Sequence, residues 1–195
     1  MTTSLPLSPS TELEGVNVLL MTIGEAPINS LEDIQQPSEA SIARNILHQT
    51  SRQVQAIGLQ CNSEEAFPLP LNVDKEAILP VNTLKVSASD PLLDIVARGN
   101  RLYDRTNHTY IFKDTLKVDI VLFLAFEELP QAARDYITLK AARVFQSKVL
   151  GSETLYQFTM QDELEARALL LQAEVDVGDF NILRNYDLQM MLRRS

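Results

Sequence analysis

Between Leu116 and Phe126 every second residue is apolar: Leu116, Val118, Ile120, Leu122, Leu124 and Phe126. A period of two over eleven residues puts six side chains on one face of an extended strand, and a helix cannot reproduce it. The opposite side begins polar at Lys117 and Asp119 and turns apolar at Val121 and Phe123, so the second half is expected to be buried on both faces. Weaker signals precede it. Phe67, Leu69 and Leu71 alternate with two prolines, which suits an edge strand and excludes a central one. Leu84, Val86 and Ala88 alternate, and Leu102–Tyr103, the polar run DRTNHT and Tyr110–Phe112 read as a hairpin.

On either side of this region the period is helical. Leu13, Val16, Leu20 and Ile23 fall on one face of a first helix, with Thr11 and Glu14 in capping-box positions and Gly24 as its stop. Pro37 opens a second helix whose stripe is Ile42, Ile46, Val54 and Ile57, ended by Gly58. Pro130 starts a third, through Val149, with Ala133, Ile137, Ala141, Val144 and Phe145 on one side and Gly151 at its close. Ser152 caps a fourth, with Leu164, Ala168, Leu171 and Val175 as its core stripe, Glu163 and Arg167 as a helical pair, and Gly178 as its end. The expected fold is α+β, mainly α. It is a four-helix bundle (11–58 and 129–178) with a small antiparallel β region (59–128) inserted between the second and third helices, a flexible arm at 1–10 and a docking tail at 179–195.

Charge narrows the function. Acidic residues outnumber basic ones by 26 to 17, a formal charge of −9, so tight DNA binding by phosphate neutralisation is not expected. The first nine residues lack the positive start and apolar run of a signal peptide, and no apolar stretch is long enough to span a bilayer. The single cysteine, Cys61, fits a reducing cytoplasm and reads as a small buried hydrophobe at a strand start.

Catalytic patterns are sparse. His48 and His108 stand outside any nucleophile motif. The cluster Asp162, Glu163 and Glu165 has the chemistry of a divalent-cation site, but reads better as a solvated helix face. Glu127, Glu128 and Glu163 keep a second reading open, a polysaccharide-degrading hydrolase. No cofactor or metal is expected. In the DRTNHT turn, Asp104 is placed to bond the backbone two residues on, while Arg105 either finishes the hairpin tip or reaches a neighbouring subunit's carboxylate. The tail is rich in apolar side chains with no core of its own. Tyr186, Leu188, Met190, Met191 and Leu192 are therefore candidate partner-interface residues, with Arg105.

Six segments in order carry a family resemblance: VNVLLMTIGEAPINSLED (Val16–Asp33), SIARNILHQTSRQVQAIG (Ser41–Gly58), LPVNTLKV (Leu79–Val86), GNRLYDRTNHT (Gly99–Thr109), ELPQAARDYITLKAARVFQ (Glu128–Gln146) and QDELEARALLLQAE (Gln161–Glu174). Over Val16–Leu183 the chain resembles the tail tubular protein A family of short-tailed phages. The resemblance implies a structural virion protein in the tail, assembled in the host cytoplasm. It would be a head-to-tail adaptor forming a ring of twelve copies, seated between the portal through which DNA leaves the capsid and the tail nozzle below. It also implies a part in the seat for tail fibres, passage of genomic DNA without specific binding, and no membrane partner.

Overall fold

A computed structural model describes residues 10–32, 34–35, 38–151 and 153–184. Helix α1 (Glu12–Thr22) begins as its sequence dictates. The Thr11 hydroxyl accepts from the Glu14 N–H at 3.2 Å, and the Glu14 carboxylate accepts from the Thr11 N–H at 2.8 Å. Helix α2 (Glu39–Gln55) is followed by strands β1 (Ser63–Leu69), β2 (Thr83–Ala88), β3 (Ile95–Arg98), β4 (Arg101–Asp104) and β5 (Leu116–Leu122). A short 3-10 turn at Phe126–Glu128 leads into α3 (Gln131–Val149) and α4 (Glu153–Arg184). The fold is α+β, with four helices and small antiparallel sheets.

Two compact units emerge. One is formed by the described parts of Met1–Ser51 and Ala125–Ser195, the other by Arg52–Leu124. In the helical unit α3 packs on both α1 and α4. Gly15 lets the helices come close: a Cβ there would lie 3.2 Å from Leu47 Cδ2 and 3.4 Å from Thr138 Oγ1. The core side of α2 carries Ala40, Ala43, Ile46, Leu47 and Thr50, all buried. Ile42 and Ile57, expected in the stripe, are exposed. The buried side of α2 runs through Ala40, Ala43 and Leu47, which turns Ile42 toward solvent.

In the β unit the clearest strand is central, in the order β1-β5-β2, and proline-bearing β1 lies at the edge. Leu116, Val118 and Ile120 are buried with Leu69, Leu79, Leu102 and Phe112. The strand stops at Leu122, however, and Val121–Leu124 are half-buried rather than enclosed on both faces. The backbone beyond the strand turns to Gln55 instead. The buried Gln55 amide donates to the Leu124 carbonyl at 3.0 Å and accepts from its N–H at 2.8 Å. The expected hairpin is also re-paired. β4 is laddered with β3 across Gly99–Asn100, and Gly99 at φ +64° supplies the glycine-first, two-residue turn that antiparallel strands favour.

Helix α4 departs furthest from expectation. It does not end at Gly178 but continues to Arg184, because one glycine costs a helix only about 1 kcal/mol relative to alanine. Its contact with α3 is made through Ala166 and Leu170, both buried, and Glu163 binds Arg143 on α3 rather than pairing within its own helix. The stripe expected to face the core faces outward. Leu164, Leu171 and Val175 are 52%, 55% and 54% exposed, and Ala168 is exposed with them.

Candidate functional site

Three places concentrate chemistry, and each is built from local sequence logic. The first is the outward face of the β3–β4 ribbon. Alternation along β4 sends Leu102 and Asp104 inward, where both are buried, and leaves Arg101 and Tyr103 on the other side. Register places Arg98 opposite Arg101 and Val96 opposite Tyr103. The Arg98 guanidinium carbon lies 3.6 Å from the Tyr103 ring centre. Tyr103 meets Tyr110 edge-to-face at 4.9 Å, and Arg101 lies 4.5 Å from the Tyr110 ring centre. Arg101 also donates to Glu76 at 2.6 Å. Four side chains thus form one stack, cationic at both ends.

The adjoining turn is tied together by Asp104. Asp104 Oδ1 accepts from the N–H groups of Thr106 (2.8 Å) and Asn107 (2.9 Å), and Oδ2 accepts from the Asn107 amide at 2.8 Å. These bonds, the Asn107 side chain foremost, hold the carboxyl below the ordinary aspartate range. Arg105, a predicted interface residue, donates through Nε (2.9 Å) and Nη2 (2.6 Å) to Asp94 Oδ1 of its own chain. That bond raises the guanidinium pKa further. A hollow of roughly 440 Å³ lies beside this turn, lined by Leu93, Asp104, Phe112 and Lys113 among others.

The second place is a charge cluster in the helical unit. Glu12 Oε1 accepts from Arg44 Nε at 2.6 Å and bonds His48 Nε2 at 2.8 Å, while the Glu12 N–H donates to Glu127 Oε1 at 3.0 Å. Burial pushes the Glu12 carboxyl up, but the Arg44 and His48 bonds together outweigh it and hold the group below its ordinary range. The third is the outward line on α4.

The carboxylates of the hydrolase reading are occupied by structure. Glu127 receives the Glu12 N–H, Glu128 caps the Ala125 N–H at 2.9 Å, and Glu163 binds Arg143. Asp162 and Glu165 are exposed, and among the described residues no three of His, Cys, Asp and Glu gather as a metal ion requires. Cys61 is exposed in the turn before β1, not buried as expected, and Leu59 and Asn62 on either side of it take the buried positions. Tyr186, Leu188, Met190, Met191 and Leu192 lie outside the described residues. The Arg–Tyr stack was missed in the sequence although a signal for it exists: Arg101, Tyr103 and Arg105 share one strand face, alternating with Leu102 and Asp104.

Among the described residues no helix is long and apolar enough to cross a membrane, and no buried side-chain nitrogen or oxygen lacks a hydrogen-bond partner. The surfaces left open for contact are the Arg–Tyr stack and the outward apolar line of α4. The model of the tail tubular protein family matches residues 13–180, so the chain belongs to that family and is a structural component of a phage tail. It is similar to the "Tail tubular protein A" of Klebsiella phage KP34, with 26% identity over 161 residues, spanning 83% of this chain and 85% of that protein.

Proposed function

We propose that this protein is the ring-forming adaptor between portal and tail nozzle. The observation that carries the reading is the outward line of Leu164, Ala168, Leu171 and Val175 on a helix already packed on its other side, a surface that calls for another protein. On this reading the helices form a four-helix bundle that carries the β region as an insertion. Copies close head to tail into a ring of twelve, assembled in the host cytoplasm, that extends the portal channel and gives nozzle and fibres a platform. The protein performs no reaction. Its net charge of −9 keeps passing DNA from adhering to the channel. The tail from Tyr186 to Ser195 docks on a neighbouring subunit or on the portal, and Arg105 lies at a subunit contact.

Light scattering on the purified chain, alone and with portal protein, tests this. The expected result is a monomer or loose association alone and a ring with portal. Absence of any larger species with portal overturns the adaptor reading, and tight DNA binding near Kd ~10⁻⁸ M, as in specific complexes, overturns the passive conduit.

A further inference from the structure

A helix that packs through one side and is apolar on the other is made for two neighbours. On α4 the steps of four, three and four residues from Leu164 to Val175 form a line about 16 Å long, at 1.5 Å per residue. Glu165 and Asp176, both exposed, lie on one flank of it. What covers this line is indicated by charge. Residues 52–124 hold eight Lys and Arg against nine Asp and Glu, whereas the remainder of the chain holds nine against seventeen. Two helical units therefore repel each other strongly, whereas a β unit, with one excess acid, can bring an arginine to a helical unit against little repulsion.

The β unit presents a matching surface. A guanidinium held flat on a ring keeps its N–H edge free for a two-pronged bond to a carboxylate. The Arg98 guanidinium lies over Tyr103, its carbon 3.6 Å from the ring centre, and among the described residues it has no carboxylate partner. Tyrosine and arginine are the side chains that contribute most at protein contacts.

We propose that the β3–β4 face of one copy seats on the outward line of α4 in a second copy, with Arg98 bonded to the Glu165–Asp176 flank and the tyrosines over the apolar line. The contact joins two different surfaces, so repetition closes a ring or extends a filament. It deepens the ring reading above and rests on it.

The test is a charge exchange in the full chain, followed by sedimentation with portal protein. Arg98→Glu alone, and Glu165→Arg with Asp176→Arg, should each raise the concentration needed for assembly at least ~10-fold, as loss of a close interfacial charge pair does. An equimolar mixture of the two variants should assemble again, since every junction then holds either the native or the exchanged pair. Recovery also shows that both variants are folded. Assembly of Arg98→Glu like wild type, or a mixture no better than its parts, overturns the proposal while leaving the ring reading standing. Wild-type chain that never assembles overturns both. If Arg98→Glu spares assembly and removes residual DNA binding, the fork serves phosphate and the proposal fails.

Discussion

Replacing Arg134 with methionine keeps an aliphatic stem in α3 and deletes the guanidinium. Arg134 is buried, and its three donor positions all serve main-chain carbonyls: Nε to Leu129 at 2.7 Å, Nη1 to Ser10 at 2.7 Å and Nη2 to Glu127. One side chain thereby ties the residue before the α1 cap to the turn that launches α3. The Leu129 carbonyl sits in a buried residue, and leaving it without a donor costs about 1–3 kcal/mol. Ser10 is half-buried and Glu127 exposed, so water replaces the lost donor there at under about 1 kcal/mol each. Relief from burying a cation offsets part of this. The net loss is about 2–4 kcal/mol, or roughly 5–15 °C in Tm for a chain of this length. Thermal melts followed at helical wavelengths measure it, and amide exchange should quicken at Glu12 and Leu129. Arg134→Lys, which can serve one or two of the carbonyls, should fall between. A methionine variant melting within about 2 °C of wild type, or a lysine variant worse than methionine, would refute the assignment of this guanidinium as a main-chain clamp.

Glu12 is held below the ordinary glutamate range, so its contribution is complete above about pH 4.3 and is lost as pH falls through the lower folded value. Urea titrations from pH 7 to 3 should show a shallower acid loss in Glu12→Gln than in wild type. Leu170→Ala, on the packed side of α4, should destabilise by about 2–4 kcal/mol, whereas Leu171→Ser one residue on should stay within about 0.5 kcal/mol and reduce assembly with portal. Comparing melting temperature with sedimentation separates the two. Deleting Tyr186–Ser195 should leave the melting temperature unchanged and abolish attachment to portal-bearing capsids. A large drop in melting temperature with attachment intact would place the tail in the core instead.

Local rules made much of this fold legible. The capping box at Thr11, the alternation in β5, the edge position enforced by Pro68 and the start of α3 after Pro130 each depend on residues within a few positions of one another. Pairings set by tertiary packing were not legible. Arg143 takes Glu163 from across the helix interface, and β4 pairs with β3 because a two-residue turn at Gly99 outcompetes the longer DRTNHT loop, which Asp104 instead folds upon itself. On α2 the buried side is Ala40, Ala43, Ile46 and Leu47, with Leu47 seated against Gly15 of α1, and Ile42 falls outside it. In α4 the spacing showed that Leu164, Ala168, Leu171 and Val175 share a face, which they do. Spacing carries no information about direction, and the inward side, Ala166, Leu170 and Ala173, repeats the same period with smaller side chains.

That outward face also bears on when a ring would form. Fully burying a leucine or valine contributes about 1.5–3 kcal/mol, and the three larger residues here are already about half covered. One contact therefore gains about 2–5 kcal/mol from the apolar line, whereas association costs about 4–15 kcal/mol in lost freedom. The line alone does not sustain a pair, and the Arg98 fork must contribute in a bond that salt weakens. A subunit with such a contact remains single at low concentration, and copies gathered on a portal escape most of the association cost because each is already held beside its neighbour. On the ring reading proposed above, marginal strength in the individual contact would restrict ring closure to copies gathered on a portal.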